Sequence, residues 1–154
     1  MIDIRLFKEY CMDLVAGVNR QLEDDGLDER IAHLVMGVKE EHMVKKLSDK
    51  AGVSLCVNYP DMSTTGMGDT ASDSQKAFFF LVEKVNPGAE SDEAEIVRYG
   101  RLQSLMLRLR DMLRERYDSC SPFIFKDNYR IEWEYQIFGG FNGLSMSVDY
   151  MEVS

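Results

Sequence analysis

Apolar residues return every three or four positions near the start of the chain: Ile4, Phe7, Cys11, Leu14, Val15, Val18 and Leu22. That spacing draws one stripe along an α-helix and predicts a helix over 3–22. Asp3 suits its N-cap, because a short carboxylate accepts from the unpaired first-turn amides. Gly26 suits the left-handed position just past its end. The same period in Leu102, Leu105, Met106, Leu109, Met112 and Leu113 predicts a long helix over 91–117. Ser91 caps it, Asp92, Glu93 and Glu95 oppose the positive end of its dipole, and six arginines between Arg98 and Arg116 gather toward its C-terminal half. A shorter helix over 39–50 turns Met43, Val44 and Leu47 inward and closes at Gly52.

Elsewhere the period falls to two. Val53, Leu55, Val57 and Tyr59 alternate with Ser54, Cys56 and Asn58, which predicts a strand with one buried face, stopped by Pro60. Tyr129, Ile131, Trp133, Tyr135 and Ile137 alternate with Arg130, Glu132, Glu134 and Gln136. Leu144, Met146, Val148 and Tyr150 alternate again after Gly139-Gly140-Phe141-Asn142-Gly143, so the last two strands read as an antiparallel hairpin. The run over 76–85 is apolar on both faces and reads as a central, doubly covered strand. Residues 31–38 suit a helix turn or a short strand, and Gly37 favours the strand. Residues 60–75 read as a long polar loop, of the kind that is functional or mobile inside a compact domain. Residues 119–122 read as a connector.

The resulting order, α, (β), α, β, β, α, β, β, predicts an α+β fold. Four to five mainly antiparallel strands would lie under helix 91–117 and the N-terminal helix. One domain over 1–154 is expected, since the 154 residues contain no internal repeat, low-complexity tract or linker.

Charge narrows the function more than composition does. The net charge is −9, with the acids spread along the chain. This opposes a basic face tracking phosphates and sequence-specific nucleic-acid binding. No apolar run reaches the ~20 residues needed to span a bilayer, and the N-terminus lacks a signal-peptide pattern. A soluble, intracellular protein without a membrane role is expected. Cys11, Cys56 and Cys120 are far apart and odd in number, which suits buried free thiols better than disulfides or a zinc cluster.

Each candidate for chemistry has a plainer reading beside it. Gly66-Met67-Gly68 has two glycines of a phosphate loop but no helix to open, so it reads as a loop tip. His33 and His42 match no metal spacing, and no serine or cysteine sits in a nucleophile motif. Glu132 and Glu134 would lie about 7 Å apart on one strand face, a spacing within glycosidase range, but on a polar face. The arginines of 91–117 are interleaved with acids and suit ion pairs. Phe78–Phe80 and the Tyr/Trp face read as core. No cofactor, metal or catalytic residue is therefore expected. Ten methionines are many for this length. Met62 and Met67 on the polar loop, with Phe138 and Phe141 flanking the final turn, are candidate protein-interface residues, because apolar side chains on polar loops suit contact with another chain.

The layout as a whole resembles the small phage tail-terminator and neck proteins. An N-terminal amphipathic helix leads to a strand ending at Tyr59-Pro60, then to a polar loop and the strand Lys76–Val85. A long helix and the hairpin Tyr129–Ile137, Leu144–Val153 follow. The run Phe79-Phe80-Leu81-Val82-Glu83-Lys84-Val85 before an acidic-capped helix is also similar to small phage-like proteins. This resemblance implies a non-enzymatic virion component at the head–tail junction, assembled in the host cytoplasm. It would form a homo-oligomeric ring, meet neighbouring tail or neck proteins, and place acidic surface near a DNA channel. No functional residue transfers from it. A small adaptor or regulatory protein-binding domain is the competing class, followed by a small-ligand-binding domain or an enzyme with an unrecognised pocket.

Overall fold

The strongest sequence signals become helices packed on one sheet. In a computed structural model, residues 1–115 and 123–152 are described. The expected connector, the C-terminal turn of helix 91–117, Cys120 and Val153 lie outside them. The elements run α1 (Ile4–Asp24), β1 (Ile31–Gly37), α2 (Glu40–Leu47), β2 (Val53–Asn58), β3 (Asp61–Thr65), β4 (Ser72–Lys84), α3 (Asp92–Glu115), β5 (Phe123–Phe125), β6 (Arg130–Ile137) and β7 (Phe141–Glu152). The fold is α+β with a mostly antiparallel sheet, as the pattern predicts.

The caps form where expected. Asp3 accepts the Arg5 amide at 2.8 Å. Past the end of α1, Gly26 has φ +72°, and the Leu27 amide reaches back to the Leu22 carbonyl at 2.9 Å. Ser91 Oγ accepts the Ala94 amide at 3.2 Å.

The described strands form a seven-stranded sheet in the order β1-β2-β4-β7-β5, with β3 also on β4 and β6 also on β7. The sheet has seven strands where four to five are expected, and its pairing departs from the sequence reading in two ways. β1 pairs β2 in parallel, joined through α2, whereas every other pairing is antiparallel. The stretch read as loop 60–75 is instead a hairpin, with Asp61–Thr65 registered against Ser72–Lys76. Every residue over 61–74 is exposed, so no apolar alternation marks these strands. Their Thr and Ser content supplies the strand preference.

One face of the sheet carries the main core, where Phe7, Leu14 and Val18 of α1 and Leu102, Leu105 and Leu109 of α3 meet Leu55, Phe79, Leu81, Leu144 and Met146. Each such side chain contributes about 1.5–3 kcal/mol on leaving water. The other face has a smaller cluster in which Met43 and Leu47 of α2 cover Val35, Cys56, Val82, Phe138 and Phe141. This second cover buries both faces of β2, where one buried face is expected, with Ser54 and Cys56 inside. It reaches only one end of β4: Val82 is buried but Phe78 is exposed, so the expected double cover is partial.

At the centre, β7 meets β4 with unusual intimacy. A Cβ on Gly143 would collide with the Leu81 carbonyl, so only glycine fits there. Across β7, the β6 register breaks between Glu134 and Ile137, with Gln136 at φ +51°. Buried Asn142 holds this bulge by accepting the Gln136 amide at 2.7 Å and its side-chain amide at 3.1 Å.

Candidate functional site

The outer edges of the sheet are finished in different ways. At the β1 edge, the Asn19 side chain of α1 acts as a miniature strand. Its Oδ1 accepts the Ile31 amide at 2.8 Å and its Nδ2 donates to the Ile31 carbonyl at 3.0 Å. At the other end of β1, Lys46 of α2 donates to the Met36 carbonyl at 2.6 Å. Side chains from two helices thus occupy backbone groups on which another strand would template itself. A cleft of about 390 Å³ opens beside this edge, lined by Arg5, Lys8, Lys46 and Lys50 above Leu34 and Tyr59. Its lining holds no carboxylate. Just outside, Asp3 pairs with Arg5 at 2.8 Å and Asp49 with Lys50 at 3.6 Å.

The β6 edge is left open. Among the described residues no strand lies on its outer side. Trp133 and Tyr135 are 59% and 65% exposed, which overturns the core reading for these two, whereas Tyr129, Ile131 and Ile137 pack partly buried against the core. Alternation marks a face that is chemically apolar, and says nothing about whether a helix lies over it. Here Tyr99 of α3 reaches the strand: its hydroxyl donates to the Glu134 carbonyl at 2.8 Å and its ring meets Trp133 edge-on at 5.7 Å. Ile96, one turn before Tyr99, and neighbouring Val97 are exposed as well. Both lie out of phase with the buried stripe of α3, and that phase error is the signal by which the sequence could have revealed them.

This end is acidic. Burial raises the Tyr99 pKa above its ordinary value, and Glu95, Glu90 and Glu134 add to the shift. An ion network seats α3 here. Glu83 of β4 accepts from Arg98 and Arg101, both at 2.7 Å, and Glu90 pairs with Arg98 at 2.8 Å. Burial pulls the Arg98 pKa down, but Glu90 and Glu83 outweigh it and the net shift is upward.

The residues singled out in the sequence separate into two groups. Met62 and Met67 stand exposed on the hairpin, Met67 at 84%. Phe138 and Phe141 do not join them: at 8% and 2% exposure they lie under α2, and Phe138 stacks edge-on with Phe80 at 5.1 Å. The turn at Gly139 and Gly140 folds both phenylalanines inward, so the expected interface role for this pair is withdrawn. Gly66 is held at φ +98° against the Thr70 carbonyl, a tight hairpin tip.

The other candidates have structural partners. His42 Nδ1 accepts the Val38 amide at 3.0 Å, and His33 Nε2 lies 3.0 Å from the Ala51 carbonyl. Glu132 pairs with Arg130 at 2.7 Å, and Glu134 accepts from Ser145 Oγ at 2.8 Å. Burial holds Cys11 and Cys56 as neutral thiols, pushing Cys56 up to about 12 and Cys11 higher still. Among the described residues no three His, Cys, Asp or Glu side chains come together as a metal set. None of the described helices is long and apolar enough to cross a membrane.

No protein-family model matches the chain, and a search of curated proteins finds no match either.

Proposed function

We propose that this protein is a non-enzymatic assembly component, a ring-forming subunit of the tail-terminator or neck type at a phage head–tail junction. The observation that carries this reading is where the exposed apolar groups sit. Trp133, Tyr135, Ile96 and Val97 crowd one end of the sheet, and Met62 and Met67 ride a hairpin that is exposed from residue 61 to residue 74. Apolar surface displayed on a strand edge and on an extended arm suits contact with another chain. The order of elements, with its resemblance to terminator and neck proteins, supplies the setting: a virion, with neighbouring tail or neck proteins as further partners. In that setting the net charge of −9 would let DNA slide past a channel wall without adhering.

The test is light scattering with negative-stain microscopy on the full chain, alone and mixed with the products of adjacent genes. Closed annular particles are expected. A chain that stays monomeric at high concentration and ignores tail and neck components would contradict the proposal. The open β6 edge also favours a second reading, an adaptor that adds an extended peptide as an extra strand. That reading predicts a monomer whose β6 amides gain protection only when the peptide binds.

A further inference from the structure

We infer that the ring contact is head-to-tail: the acidic aromatic end of one copy, at β6 and α3, docks in the basic cleft beside β1 of the next copy. This inference rests on the ring reading and identifies its two contacting surfaces.

Charge carries the argument. In a chain of net charge −9, four cations line one cleft whose lining contains no carboxylate, with only Asp3 and Asp49 just outside pairing with two of them, Arg5 and Lys50. At the other end of the sheet, Trp133 and Tyr135 stand exposed beside Tyr99, on whose hydroxyl Glu95 acts, while Glu132 and Glu134 occupy the opposite face of the same edge strand, Glu132 paired with Arg130. Each surface offers what the other lacks. Ile4, Leu34 and Tyr59 give the cleft an apolar floor for an aromatic ring, and Lys or Arg over a tryptophan face adds cation–π attraction.

Geometry allows the contact to repeat. β1 and β6 are separated by four strand spacings along β1-β2-β4-β7-β6, roughly 19 Å. The two surfaces are different and lie at opposite ends, so a copy cannot satisfy both with one partner through a two-fold axis. A heterologous contact propagates, and it closes into a ring when the rotation per copy allows. The capped state of β1 is consistent with this scheme. Asn19 and Lys46 already occupy backbone groups there, so the cleft receives side chains and not an added strand.

The test is a charge exchange in the full chain, read by native mass spectrometry and sedimentation. One variant carries Lys8→Glu and Lys50→Glu, and the other carries Glu95→Lys and Glu132→Lys. Each alone now sets like charge against like, and its self-association is expected to weaken about 100-fold. Mixed, the two variants restore both contacts and assemble as alternating, even-numbered rings. Folding is checked by circular dichroism and denaturation midpoint. If either variant proves unfolded, Trp133→Ala with Tyr135→Ala replaces it, and loss of assembly is again expected. Two results overturn the inference while leaving the ring intact: a variant that assembles like the natural chain, or folded variants that do not assemble when mixed although the natural chain does. A natural chain that remains monomeric, alone and with its neighbours, overturns both the inference and the ring.

Discussion

The β1 and β6 edges belong to one sheet, yet one is sealed from within the chain and the other is not. At β1, an asparagine and a lysine from separate helices reach the strand and occupy backbone groups at its two ends, on Ile31 and Met36. At β6, a tyrosine touches the strand from one side and leaves the only tryptophan of the chain half in water. A sealed edge is what a free-standing protein needs to avoid indiscriminate pairing. An open edge bearing large aromatics is the surface that the proposed assembly would cover. The difference also shows what strand alternation leaves out. It reports that a face is apolar, whereas the position of the strand relative to the helices decides whether that face is buried.

The comparison can be broken most severely at Gly143, on which the whole β6 side depends. Gly143→Ala should destabilise the chain by about 3 kcal/mol, because the new methyl must push the Leu81 carbonyl and part β7 from β4. Urea denaturation reads this directly, and a change within error would show that the strands can move apart freely. Next in size is Asn19→Ala. It strands one amide and one carbonyl at Ile31 and should cost about 2 kcal/mol, with faster amide exchange at Ile31. If Ile31 exchange is unchanged, the β1 edge is not sealed by Asn19.

Trp133→Ala sharpens the contrast from the other side. Removing the largest side chain of the molecule should cost about 1 kcal/mol or less in the monomer, since the Tyr99 contact is its main partner. Assembly, measured by light scattering, should suffer far more. The smallest effect concerns the start of α1, the helix that supplies Asn19. Hydrogen bonds from Arg5 hold the Asp3 carboxyl down to about 2. Its support for the helix is therefore complete above the ordinary carboxylate value of about 4 and fades as pH falls through about 2. Asp3→Asn should flatten that acid limb of the stability profile, and an unchanged limb would show that the cap contributes nothing.

Much of the fold was legible because burial on one side imposes a period. The stripes of α1 and α3, the β6–β7 hairpin and the caps at Asp3 and Ser91 all belong to this class. The β3–β4 hairpin was hidden because both of its strands face water, so no period separates Thr64 and Ser74 from loop residues. The parallel pairing of β1 with β2 was hidden for another reason: it depends on how α2 packs, which no local pattern encodes. The candidate surface was half visible. Met62 and Met67 stood out as apolar residues in polar surroundings, and they are exposed. Phe138 and Phe141 looked the same in sequence, but the turn at Gly139 folds them under α2. Trp133 and Tyr135 look like core in sequence, because their alternation is as regular as that of Leu144 and Met146. The basic cleft was not visible at all. Arg5, Lys8, Lys46 and Lys50 come from both ends of the stretch 5–50 and meet only when α1 and α2 flank β1.

The most direct measurement uses the single tryptophan. Acrylamide quenching of its fluorescence should be followed across the concentration range in which light scattering detects assembly. If β6 is the edge that another copy covers, Trp133 will be readily quenched in the monomer and several-fold less so in the assembly. Quenching that stays constant while the protein assembles would contradict that assignment and place the contact elsewhere.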